Sequence, residues 1–231
     1  MPPDADARYA TKDALRHIML DYRQMAEFVK EPLVVARADG IRFWDVQGKE
    51  YLDGLAGVYV VNVGYNNPRL VEAVCRQVET LPFNPPMHAT NPRAVELATL
   101  LAEITPGDLN TARLVSSGSE ATEAAFKMAR QYHRQTGNPG KYKILSRYLS
   151  YHGATASAMS AGGVGYRKTL YEPAAVGFLH FYPPYCYRCP FEKTYPDCEV
   201  FCARTLRTMI EWEDPRSIAA AEPLLAHWSR R

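Results

Sequence analysis

The 231-residue sequence predicts an α/β fold, a mostly parallel β-sheet flanked by helices and preceded by an N-terminal helix and β-hairpin segment. Two observations carry that prediction. Short apolar runs recur at Ala112–Val115, Lys143–Leu145, Val176–Phe181 and Ile218–Ala221. Helical stretches lie between several of them, near 119–135 and 199–212. Strands that alternate with helices imply parallel pairing with both sheet faces covered.

The elements before this alternation follow in order. Leu15, Ile18, Met19 and Tyr22 stand at helical spacing within the first thirty residues. Leu33–Ala36, Ile41–Val46 and Glu50–Leu52 read as strands separated by the turn pairs Asp39-Gly40 and Gln47-Gly48. Asn67-Pro68 and Asn91-Pro92 each open a helix, with Asn as N-cap and Pro at the first helical position. Pro82, Pro85 and Pro86 make the stretch between those helices extended or loop.

Composition narrows the class. With 47% hydrophobic and 23% charged residues the chain reads as an ordinary soluble globular protein. A net charge of +2 gives no electrostatic reason to bind nucleic acid or an anionic membrane. No apolar run approaches the roughly 20 residues that span a bilayer. Met1–Arg8 is polar and unlike a secretory signal, so a cytoplasmic protein is expected. Five cysteines without an export signal are expected to be reduced. Four of them, Cys186, Cys189, Cys198 and Cys202, have a spacing that a zinc site uses, but the Pro- and Tyr-rich stretch reads better as a compact loop, and no metal is assigned.

The most informative segment is Val115–Glu123. It follows a strand candidate and opens a helix whose expected buried face is Ala121, Ala124, Ala125, Met128 and Tyr132. Ser117 and Glu120 have capping-box spacing, and small residues at Gly118 and Ser119 leave the free N–H groups of the first turn open to an anion. Taken alone, the same residues describe a well-capped helix. A second glycine-rich run, Ala161–Gly165, follows no clear strand and lacks the spacing of a nucleotide-binding loop.

Five segments in consistent order carry a resemblance. Ser117-Gly118-Ser119-Glu120-Ala121-Thr122-Glu123-Ala124-Ala125 resembles the phosphate-cup motif of class III (omega-transaminase-like) aminotransferases, pyridoxal-phosphate enzymes of fold type I. Ser146–Thr155, with Tyr151-His152-Gly153, resembles that family's aromatic motif. Trp44–Asp53, Asn62–Pro68 and Ala221-Glu222-Pro223 are similar to its N-terminal strand pair, the lead into its large domain and its Glu-Pro strand end. The resemblance implies that residues 1–63 belong to the small domain and 64–231 to the N-terminal part of the large cofactor-binding domain.

It also implies roles. Ser117, Gly118 and Ser119 would hold the phosphate of pyridoxal 5'-phosphate. Tyr151 would stack on the pyridine ring beside His152, and Glu222 would lie behind the cofactor. Tyr59 and Phe83 would wall the substrate pocket. The reaction implied moves an amino group from an amine or amino acid to a keto acid such as pyruvate, in a homodimer. An aminomutase of the same fold and a non-catalytic fragment paired with a full-length homologue are the alternatives.

The Schiff-base lysine and the Asp that pairs with the pyridine nitrogen come later in the family. Lys127, Lys141, Lys143, Lys168 and Lys193 fall at other positions, so no catalytic residue is assigned, and the chain is expected to be truncated and inactive alone.

Overall fold

The computed structural model describes residues 8–221, which fall into two compact units divided between Pro92 and Arg93. The expected boundary between residues 63 and 64 falls inside the first unit.

The first unit is built on an antiparallel meander of β1 (Val35–Asp39), β2 (Arg42–Asp45) and β3 (Glu50–Leu52), paired in that order. The β2–β3 turn is organised by the buried Asp45. Its Oδ1 accepts from the N–H groups of Gln47 and Lys49, both at 2.9 Å, and its Oδ2 from the Tyr51 hydroxyl at 3.0 Å. Burial pushes this carboxyl up, but the bonds from Lys49, Tyr51 and Gln47 outweigh it and hold it below the ordinary range. Gly48 at φ +83 supplies the left-handed residue of the turn. Helix α1 (Pro68–Thr80) starts as expected, with the Asn67 side chain accepting from Arg69 N–H. Helix α2 (Pro92–Ile104) begins at its proline and from Arg93 on belongs to the second unit.

The single N-terminal helix is not formed. One-turn helices stand at Lys12–Leu15 and Met25–Phe28, capped by Thr11 and Gln24, and Tyr22 between them lies at φ +55. Of the predicted stripe only Leu15 is buried. Without packing on that stripe, nothing offsets the cost of nucleating a longer helix.

The second unit is the α/β layer structure. Its sheet has the order β5-β4-β6, from β4 (Lys143–Arg147), β5 (Phe178–Phe181) and β6 (Ile218–Ala221), and both pairings are parallel. Side chains alternate across β4 and β5, so the two faces meet different helices. Leu145, fully buried, packs with Leu179, Phe181 and Ile218 against Leu206, Met209 and Ile210 of α5 (Phe201–Trp212). On the other face Phe178 meets Phe126 of α3 (Gly118–Gln135) edge to face at 5.1 Å. His180 on that face reaches α4 (Ala156–Ala161), where its Nε2 bonds the Ala161 and Gly162 carbonyls at 3.2 and 3.0 Å. Ala158 and Ala161 are fully buried, and their small size lets α4 lie close to the strands.

Two expectations are corrected here. Ala112–Val115 is no strand: among the described residues it pairs with neither edge of the β5-β4-β6 sheet. Leu114 and Val115 are accordingly exposed. The covered side of α3 carries Thr122, Glu123, Phe126, Arg130 and His133, whereas Ala121, Ala125, Met128 and Tyr132 are exposed and Ala124 is half-covered. The sheet takes the aromatic and polar side, through Phe126 on Phe178 and His133 on the Ala219 carbonyl at 2.9 Å. Among the described residues no helix is long and apolar enough to cross a membrane.

Burial, with the nearby Lys168, holds the His180 imidazole below its ordinary value of about 6.5. The unfolded chain therefore binds the extra proton first, and stability is expected to fall as pH drops through that region. Urea midpoints should decline more between about pH 7.5 and 5.5 for the parent than for His180→Gln, whose amide still donates to the α4 carbonyls.

Candidate functional site

The site lies where the N-terminus of α3 meets the segment that leaves the C-terminal end of β4, the end at which open parallel sheets bind ligands. Ser117 is the N-cap of α3, extended at φ −151, and its Oγ accepts from Glu120 N–H at 3.2 Å. The expected capping box is displaced by one residue: the Glu120 carboxylate takes the N–H of Ser116 at 2.8 Å instead of that of Ser117. Among the described residues no acceptor takes the N–H of Gly118 or Ser119. A Cβ added at Gly118 would meet nothing within 4 Å, so the approach to these donors is open. Two unclaimed amides at the head of an 18-residue helix present the donors that an anion needs.

Residues 148–155 close on this turn. Gly153 sits at φ +134, and a Cβ there would come within 2.9 Å of the Ser119 Cα. The next N–H, of Ala154, donates to Ser119 Oγ at 3.0 Å, and Thr122 Oγ1 donates to the His152 carbonyl at 2.9 Å. At the strand end the buried Ser150 hydroxyl donates to the Arg147 carbonyl, and Gly163 clasps the segment through bonds with Leu149 and Ser150 at 3.1 and 3.0 Å. A Cβ at Gly163 would strike the Arg147 carbonyl. The glycine run is thus part of this clasp. His152 Nδ1 lies 3.4 Å from Ser150 Oγ, and the exposed Tyr151 ring has the Arg167 guanidinium 5.3 Å from its centroid.

The structure therefore brings together Ser117, Gly118 and Ser119 with the segment that carries Tyr151 and His152. Tyr59 and Phe83 lie in the first unit, both 74% exposed. Glu222 lies outside the described residues. Asp53, not singled out in the sequence, organises the turn that carries Tyr59. Its carboxylate accepts from the Tyr65 hydroxyl and from the N–H groups of Gly57 and Leu55, at 2.8, 2.7 and 2.9 Å. The Tyr65 bond, with those amides, holds its carboxyl below the ordinary range. Residues 56–59 all have positive φ, a strained run for Val58, and Asp53 ties its beginning down.

Glu123 is the other side chain that sequence reasoning missed. Its Oε1 accepts from Thr155 Oγ1 and from the N–H groups of Ser157 and Ala158, at 2.7, 3.0 and 3.4 Å. Burial pushes this carboxyl up, and those bonds more than reverse it. The cysteines are free thiols, and among the described residues no group of three or more His, Cys, Asp or Glu side chains is placed to hold a metal. Lys143 is paired with Glu213 at 2.8 Å, and Lys168 donates to the Gly162 carbonyl at 3.0 Å.

A family model described as aminotransferase class-III matches residues 24–224. The chain belongs to the class III aminotransferase family. A probable aminotransferase of Mycobacterium tuberculosis, Rv3329, is 38% identical over 89% of this chain and 44% of its own length. A putrescine–pyruvate aminotransferase of Pseudomonas aeruginosa is 34% identical over 88% of this chain and 45% of its own. An (S)-enantioselective omega-transaminase of Thermomicrobium roseum superposes with a TM-score of 0.86 at 36% identity, covering 93% of this chain and 48% of that one. The chain thus spans about half the length of the relatives it matches. Pyridoxal phosphate is the cofactor of class III aminotransferases, and the open Gly118–Ser119 amides fit its phosphate.

Two glycine variants separate the close contact from the open turn. Gly153→Ala is expected to destabilise the chain by about 2 kcal/mol, through lost left-handed freedom and the clash with Ser119. Gly118→Ala is expected to be neutral or stabilising by up to about 1 kcal/mol. Urea unfolding of both variants checks the contrast.

Proposed function

We propose that this chain supplies the phosphate- and ring-binding part of the active site of a class III transaminase that moves an amino group from an amine or amino acid to a keto acid such as pyruvate. The observation that carries this reading is the pair of unclaimed amides at Gly118 and Ser119 with the Tyr151 segment pinned beside them. The putrescine–pyruvate relative supports the substrate class.

When bound, pyridoxal phosphate supplies the electron sink for bond breaking at the amine carbon. The chain's own residues do the holding. Gly118 and Ser119 donate N–H groups to the phosphate, and the Ser119 hydroxyl, which accepts from Ala154, has its own proton to give. Ser117 fixes the turn as N-cap. Tyr151 offers its aromatic face to the pyridine ring, since stacking there leaves the ring's protonation untouched. His152, beside it, holds the orientation of that segment. Tyr59 and Phe83 are assigned to the substrate wall, Glu222 to the region behind the cofactor, and the assembly to a homodimer. None of the eight lysines of the sequence, Lys127, Lys141, Lys143, Lys168 and Lys193 among them, is assigned the covalent role. The 231-residue polypeptide by itself is therefore expected to bind the cofactor without turnover.

Equilibrium dialysis of pyridoxal phosphate against this polypeptide tests the reading. One saturable site, displaced by inorganic phosphate and weakened about tenfold in Ser119→Ala, is the expected result, a charge-assisted hydrogen bond of about 1.5 kcal/mol being lost. Absence of saturable binding would overturn it. Conversion of an amine and pyruvate to alanine by the 231-residue polypeptide would overturn the statement about its lysines.

A further inference from the structure

Ser119, Thr122 and Glu123 stand three and four residues apart and so share one side of α3. Each reaches the segment 148–158: Ser119 through Ala154, Thr122 through the His152 carbonyl, and Glu123 through Thr155, Ser157 and Ala158. The three contacts differ in strength. That of Ser119 is a single neutral hydrogen bond, and Thr122 shares its one hydroxyl proton between the His152 carbonyl and the Ser119 carbonyl of its own helix, both at 2.9 Å. The Glu123 contact gathers three donors on one carboxylate oxygen, and bonds to an ionised acceptor are roughly twice as strong as neutral ones.

The donors that Glu123 takes would otherwise be orphans. Ser157 and Ala158 provide first-turn amides of α4, whose N-cap residue, Thr155, makes no side-chain cap bond. A six-residue helix has little stability of its own, and it receives its cap from another helix, 32 to 35 residues earlier in the chain. The carboxylate also favours the positive end of the α4 dipole.

We propose that Glu123 is the positioning residue that locks the Tyr151–Ala154 segment against the phosphate-binding turn. This rests on the cofactor reading of that turn given above. Glu123 touches neither the phosphate amides nor the Tyr151 ring, and it acts by fixing the start of α4. Because Gly118 and Ser119 head the same helix, one rigid element sets the distance between the phosphate site and the ring-facing segment. Loss of the carboxylate frees the far end of the segment, and Tyr151 then no longer holds one place relative to the two amides.

Two readouts on the 231-residue chain test this, with Glu123→Ala and Glu123→Gln compared. The first is amide hydrogen exchange of Ala154 relative to Leu145 at the centre of β4, a ratio from which global loosening cancels. The second is the dissociation constant for pyridoxal phosphate. In Glu123→Ala the exchange ratio is expected to rise about tenfold and the cofactor to bind about tenfold more weakly. In Glu123→Gln, which keeps the accepting oxygen but loses its charge, both are expected to change by about threefold, between the parent and Glu123→Ala. An unchanged Ala154 ratio in Glu123→Ala overturns the proposal whatever the cofactor does. So does unchanged cofactor affinity in that variant when the parent binds, since Glu123 would then serve stability alone. A parent chain that takes up no cofactor fails the functional reading, and the exchange ratio still decides what Glu123 holds.

Discussion

The site depends on how closely the backbone after β4 approaches the first turn of α3. At residue 153 there is no space for a side chain, because the Ser119 backbone occupies it, and the left-handed φ of Gly153 turns the Ala154 N–H onto the Ser119 hydroxyl. From that contact the rest follows. The segment with Tyr151 and His152 is held at the helix end that carries the unclaimed amides. The strand end is closed by Ser150 and Gly163, and the far end by Glu123. The α/β layers place these pieces: β4 is buried between its two neighbours, with α5 on one face and α3 and α4 on the other.

A second regularity is the use of carboxylates as local organisers. Asp45 gathers two amides and a tyrosine hydroxyl in the β2–β3 turn, and Asp53 does the same for the strained turn that carries Tyr59. Glu123 gathers a threonine hydroxyl and two amides at the start of α4. In each case the ionised form is the one that accepts, and the carboxyl is held below its ordinary range. These groups fix backbone where regular structure does not.

What was legible in the sequence was local. Asn67-Pro68, Gln47-Gly48 and the Ser-Gly-Ser turn carry their own capping and turn chemistry within a few residues, and each stands where that chemistry places it. β4, β5 and β6 were visible as short apolar runs because they are covered on both faces. Ala112–Val115 differs because an apolar run states that a strand is favourable, not that it pairs with a sheet edge. The α3 stripe was misread for a related reason: periodicity defines a face, whereas the choice of face is made by Phe178 and Ala219, about 52 and 86 residues beyond Phe126 and His133. Glu123 left no local signal at all, since its donors lie on the other side of β4 in the chain.

The central claim is that the free amides of Gly118 and Ser119 are the phosphate-binding groups. Nitrogen–proton NMR of the 231-residue chain titrated with inorganic phosphate and then with pyridoxal phosphate tests it most directly. Saturable downfield shifts at Gly118 and Ser119 with both ligands, joined by shifts at Tyr151 and His152 with the second only, are the predicted result. Saturable binding that leaves the Gly118 and Ser119 signals unmoved would contradict it.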